Sequence, residues 1–176
     1  MQTSSRLRKI SAEIRKCKKC RLYKHARKAV PGEGPAKAKI FFVGQAPGNA
    51  EDKTGRPFVG RSGNFLDKLL RSAGLKRKNV FITSVVKHFP PRNRTPKKDE
   101  IKACKPYIIR QLKLVNPKIV VLLGKVAQNA LAGEPVLKGK KVVKTAHPAA
   151  GRRFPKIGDR MEKDFAKLKK LVQAVK

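Results

Sequence analysis

The chain has 176 residues, about 40% of them hydrophobic, which suits one globular domain with a real core and argues against a disordered chain. Its 45 Lys and Arg against 11 Asp and Glu leave a formal charge of +34, an excess that calls for an anionic partner. Nucleic acid fits that partner better than an anionic membrane surface, because no aromatic-rich amphipathic stretch accompanies the charge, and no apolar run nears the roughly 20 residues needed to cross a bilayer.

The basic N-terminus lacks the apolar core of a secretory signal, so a cytoplasmic, nucleoid-associated protein is expected. Residues 5–16 place Leu7, Ile10 and Ile14 at helical spacing and predict a helix. It leads into Cys17 and Cys20, a C-x-x-C in a basic turn. The odd count of three cysteines, and the lack of any strand before this pair, favour metal over a disulfide or a thioredoxin-like redox pair.

Residues 29–38 are loop, and KIFFVG (39–44) is a buried strand. The strand runs straight into GQAPGNAEDKTGRPFVG (44–60), dense in glycine and proline and holding a single aromatic, Phe58. Phe65, Leu66, Leu69 and Leu70 predict a helix over 62–73, and NVFITSVV (79–86) predicts a second strand. Three prolines make 87–96 a loop. Thr95 with Pro96, Asp99 and Glu100 reads as a helix start, and that helix carries Cys104 and runs to about Val115. A third strand follows at 117–124, then a short helix closed by Gly133. A fourth strand at 140–148 ends in His147-Pro148, and a last helix covers 159–175.

Strands alternating with helices predict a parallel sheet covered on both faces, with ligands bound beyond the carboxyl ends of its strands. Three unusual segments fall there: Gly44–Gly48, Ser84–His88 and AHPAA (146–150).

GQAPGNAEDKTGRPFVGRSG (44–63), ITSVVKHFPPRNRTP (82–96) and TAHPAA (145–150), in that order behind C-x-x-C-R-L, resemble the uracil-DNA glycosylase superfamily. Within it they are most similar to the iron–sulfur group, family four, of thermophilic bacteria and archaea. The resemblance covers essentially the whole chain. It implies a single three-layer α/β/α domain around a mainly parallel four-stranded sheet. It also implies a monomeric, monofunctional base-excision enzyme that hydrolyses the bond between a flipped-out uracil and its sugar in single- or double-stranded DNA. A basic, metal-containing nucleic-acid-binding module of the same fold, without turnover, is the alternative.

A base must leave the stack before its glycosidic bond is reached. Gly44, Ala46, Pro47 and Gly48 let backbone approach a flat ring, and Phe58 supplies a stacking face unless it is an ordinary core residue. His147 is the catalytic expectation, donating to uracil O2 as charge develops there, against the plainer reading of a satisfied structural histidine. Gln45 replaces the glutamate common in this group. Ala46 leaves no general base, so departure of the base carries most of the chemistry, with water held mainly by backbone and Asn49. Ser84 stands where the family places asparagine. A hydroxyl cannot span two edge atoms of uracil, which opens specificity to other deaminated bases.

The family's four-iron cluster is held by four cysteines. Cys17, Cys20 and Cys104 match three of them, and His88 stands in the fourth place. Histidine can ligate iron in such centres, a Cys₃His zinc is a second reading, and loss of the metal is a third. His25 is expected to be solvated. Arg56, Arg61, Lys87, Arg92, Arg94, Arg152 and Arg153 are expected to contact DNA phosphates. Phe154 or Arg152 is expected to fill the gap left by the flipped base.

Overall fold

The computed structural model describes residues 2–174, with Gln2 described by its backbone alone. Among these residues four parallel strands form one sheet in the order β2-β1-β3-β4: β1 is Ile40–Gly44, β2 Phe81–Ser84, β3 Ile119–Leu123 and β4 Lys141–Thr145. The first three are buried along their whole length between two helical layers; β1 and β3 are continuous apolar runs, while β2 also buries the hydroxyls of Thr83 and Ser84. Alternate side chains go to opposite faces. Phe41 and Val43 join Phe81, Val120 and Leu122 under α1 (Gln2–Arg15), α4 (Lys98–Val115) and α5 (Lys125–Leu131). Ile40 and Phe42 join Ile82, Ile119 and Val121 under α3 (Arg61–Ser72), α6 (Pro148–Arg153) and α7 (Pro155–Ala174). No helix among the described residues is long and apolar enough to cross a membrane.

Several boundaries differ from those the sequence predicts. The glycine-rich segment contains a short helix, α2 (Asn49–Thr54), and the stretch after His147 is helix α6 rather than a loop. The last helix starts at Pro155, not at 159. The long helix starts at Lys98 behind Lys97, whose N–H is held by the Glu100 carboxylate at 2.8 Å, so Thr95 is not its cap. β4 lies on the sheet edge, with Lys141, Val142 and Lys144 exposed; lysines on an open edge discourage pairing with another chain.

Lys87 is a correction. It is fully buried and unavailable to a phosphate. Its Nζ donates to Thr83 Oγ1 (2.6 Å), the Ser84 carbonyl (2.9 Å) and Gln111 Oε1 (2.9 Å). Thr83 Oγ1 and Gln111 Nε2 in turn donate to the Pro31 carbonyl, which ties the N-terminal loop to β2 and α4. Burial pulls the amine down to about 7. The three acceptors oppose that pull, since each can only accept from Nζ and together they use every ammonium proton. A charge that reads as surface in the sequence is here a staple beneath Ser84.

Candidate active site

The chain crosses from one side of β1 to the other between β2 and β3, so the sheet order reverses at β1, the place where open α/β sheets form a ligand crevice. Beyond Gly44 the backbone turns through Ala46-Pro47-Gly48 into α2, whose acidic pair faces inward. The Glu51 carboxylate accepts the N–H groups of Gly48 (3.0 Å), Val59 (2.8 Å) and Gly60 (2.9 Å), clamping the GQAPG turn to the PFVG loop. Asp52, buried beside it, accepts the N–H groups of Arg27 (2.8 Å) and Lys28 (3.4 Å). Both acids are consumed by backbone and neither is free as a general base. Sequence reasoning assigned them no role, although G-x-x-E at a helix start is a capping signal that could have found Glu51.

Between these loops lies a cavity of about 80 Å³ lined by Ala46, Pro47, Gly48, Phe58, Ser84 and His147, with Ser62 and Asn93 at its wall. Phe58 is buried. Its ring rests on Gly44, where an added Cβ would come within 2.5 Å, and leans toward the His147 ring with centroids 5.8 Å apart. Ser84 closes β2 and is buried. The structure thus brings together Phe58, Ser84, His147 and the small residues of the turn. Gln45 is half-buried and Asn49 is exposed in the first turn of α2; neither lines the cavity. Asn93, at φ 57°, was missed; its Arg-Asn-Arg context after two prolines is a turn signal.

His147 caps α6. Its Nδ1 accepts the Ala149 N–H at 3.2 Å, which puts the proton of the neutral ring on Nε2. That Nε2 is buried with no hydrogen-bond partner among the described residues. An orphaned buried donor costs about 1–3 kcal/mol, a cost retained where a ligand will take the bond. Burial pulls His147 down to about 4, opposed by the Glu51 charge, so the ring is neutral at pH 7. Protonation would set an Nδ1–H against the Ala149 N–H. Between pH 6.5 and about 4 the unfolded chain takes the proton first, so acid costs the fold stability through this group. Turnover is expected to show no acidic limb near 6.5 from His147; a limb there that disappears on its replacement contradicts a neutral donor.

The cationic residues divide. Arg61, Arg92, Arg152 and Arg153 are exposed, as is Phe154, with the Arg153 guanidinium 5.3 Å from its ring. Arg56 and Arg94 are each paired with an acid in the free protein. Arg56 grips Glu33 at 2.9 and 3.2 Å, and Arg94 grips Glu100 at 2.7 and 2.9 Å. Glu13, Asp67, Asp99 and Glu134 also pair with Arg or Lys, and Asp164 accepts the Thr145 hydroxyl. Free positive charge gathers instead in a cleft of about 580 Å³ lined by Arg15, Lys16, Lys18, Arg27 and Lys28, none in an ion pair among the described residues. The cleft includes Ala29 and Arg56, chain neighbours of Val30 and Pro57 on the cavity wall, so the two hollows adjoin.

Of the candidate metal ligands, Cys20 and Cys104 touch. The Cys104 thiol donates to Cys20, holding Cys20 down to about 6, while that bond and burial push Cys104 up. Cys17 takes the Tyr107 hydroxyl, and His88, buried, lines the basic cleft with Cys17; burial lowers the pKa of His88. The three thiols and one imidazole suit iron or zinc as a donor set. Among the described residues, however, no three His, Cys, Asp or Glu side chains close on a common point. His25 is exposed.

Residues 31–176 match the family model described as the uracil DNA glycosylase superfamily. A "Type-4 uracil-DNA glycosylase" of Sulfurisphaera tokodaii is 44% identical over 94% of this chain and 84% of the relative. Proteins of the same name from Thermotoga maritima (42% identical, 80% of each chain) and Archaeoglobus fulgidus (40% identical, 92% of this chain and 91% of the relative) are also similar.

Proposed function

The chain belongs to the uracil-DNA glycosylase superfamily, and from that premise we propose that it excises uracil from DNA by hydrolysing the bond between base and sugar. The observation that carries this reading is the buried, unpartnered Nε2–H of a neutral His147 beside Phe58. A flipped base enters between the Phe58 ring and the backbone of Ala46–Gly48. As the C1′–N1 bond breaks, its electron pair passes to the base and O2 gains charge. Nε2–H donates to that oxygen and stabilises it without giving up its proton. Glu51 and Asp52 are bound to amides, so no carboxylate in the turn activates water. Bond breaking therefore leads, the DNA phosphates stabilise the sugar cation, and water then adds at C1′ and releases a proton. Backbone of the turn holds that water, since Asn49 is exposed and outside the cavity wall.

Ser84 offers one hydroxyl to the base edge, so hypoxanthine and xanthine are expected as slower substrates. A labelled oligonucleotide containing one uracil, incubated with the protein and then with alkali, should break at that site. Tight binding without an abasic product refutes the enzymatic reading. The basic cleft beside the cavity is read as the path of the flanking strand. Replacing Arg15, Lys16, Arg27 and Lys28 by glutamine should flatten the dependence of log affinity on log salt by about 0.7–0.9 for each phosphate left without a cation. An unchanged slope in a binding titration removes the cleft from the interface.

Cys17, Cys20, Cys104 and His88 are the residues proposed to hold an iron–sulfur centre, a structural group that would join the C-terminal end of α1, the proline-rich loop and α4. Iron and acid-labile sulfide in the purified protein, lost in His88→Ala and kept in His88→Cys, support that set. A colourless protein holding zinc replaces it with the Cys₃His reading.

A further inference from the structure

Phe58 is held at φ 49°, in the left-handed region that side chains avoid, at a cost of about 1–3 kcal/mol. A strained residue persists where its surroundings leave it no alternative. Two features do this from below. Gly63, in the first turn of α3, lets the Phe58 carbonyl lie where an added Cβ would sit 1.9 Å from its oxygen. Arg77, on the 3-10 turn Arg77–Asn79 before β2, reaches the same place. Its Nη1 donates to the Phe58 carbonyl at 3.0 Å, and its Nη2 donates to the Pro57 carbonyl.

The guanidinium is itself fixed. Nη1 also donates to Asp67 Oδ1 (2.9 Å), and Nε and Nη2 donate to Glu33 Oε1 (3.2 and 3.1 Å). These contacts match the five N–H donors of an arginine fork, and the side chain is only 23% exposed. On the opposite side of the same loop, Glu51 holds the N–H groups of Val59 and Gly60. Successive carbonyls meet a cation and successive amides meet an anion. Relaxing φ at residue 58 would turn one set away from its partner.

We propose that Arg77, which lines no part of the cavity, is a positioning residue for nucleobase recognition: it locks Phe58 in the strained conformation that sets its ring against Gly44 and His147. This rests on reading the cavity as the uracil pocket. Lysine cannot substitute, because one ammonium cannot span two carbonyls and two carboxylates.

The test is a double-mutant cycle of Phe58→Ala and Arg77→Met, with single-turnover excision, inhibition by free uracil and thermal unfolding as readouts. Arg77→Met should slow excision about 10- to 100-fold and weaken uracil inhibition, and Arg77→Lys should do much the same. In the Phe58→Ala background, Arg77→Met should change excision less than about twofold while still lowering the melting temperature. An equal loss in both backgrounds, or excision by Arg77→Met within twofold of the parent, overturns the proposal. Should Arg77→Met fail to fold, Asp67→Asn frees one anchor of the guanidinium and should give a smaller loss that again vanishes without the Phe58 ring. Fluorine-labelled phenylalanine gives a readout independent of turnover. The Phe58 resonance should shift or broaden in Arg77→Lys, and an unmoved resonance overturns the proposal. A parent protein that releases no uracil but shows the fluorine shift refutes the functional reading and leaves this link standing.

Discussion

Replacing His147 by alanine is expected to slow the single-turnover release of uracil by about 10²- to 10³-fold, some 3–4 kcal/mol of barrier, with little change in affinity for uracil-containing DNA. The asymmetry follows from when the bond forms. Nε2–H faces an oxygen that is a weak acceptor in the bound base and a strong one as the glycosidic bond opens, so the interaction favours the transition state over the ground state. Stability should change far less than rate. The variant loses the Nδ1 bond that satisfies the Ala149 N–H, worth about 1 kcal/mol, but it also removes a buried donor that has no partner in the free protein. Quenched-flow excision, a binding titration and a melting curve separate these effects. A rate loss below tenfold would move the chemistry to another group.

Glu51→Gln is the second large effect, and here rate and stability should fall together. One carboxylate receives three amide protons from two loops. A glutamine has a single acceptor oxygen and must turn its NH₂ toward at least one of those N–H groups. Hydrogen bonds to a charged group contribute about 1.5–3 kcal/mol each, so a net loss of about 3 kcal/mol is expected after relaxation. Both walls of the cavity would loosen, because Gly48 belongs to one and Val59-Gly60 adjoins the other. Denaturant melts alongside single-turnover rates decide it. A general base would lose rate with the melting curve unmoved, and that outcome would return Glu51 to the chemistry.

Much of this arrangement is legible in the sequence because it is local. The two inner strands, β1 and β3, read as unbroken apolar runs, and the glycine-proline turn, Phe58, Ser84 and His147 all sit at the strand ends where parallel sheets bind ligands. Short helices without an apolar face leave no periodic trace. That is why α2 and α6, six residues each, read as loop. Long-range partners hide the rest. Lys87 looks like any other lysine until Gln111, 24 positions on, closes over it. Arg77 sits in a basic turn indistinguishable from its neighbours, and its partners lie 10 to 44 positions away. The ion pairs of Arg56 and Arg94 are hidden for the same reason: in a chain this basic, the sequence does not say which cations the few acids have claimed.

Those few acids are mostly spent as internal fasteners, on arginines, amides and a hydroxyl. The outer shell is left with mutual repulsion that nothing in the folded chain relieves. Dissolved ions should therefore pull in opposite directions: added salt makes the free molecule harder to melt while it slows the search for a lesion. Bound to a polynucleotide, the same molecule meets its missing counter-charge, and its heat tolerance becomes partly a property of the genome it patrols.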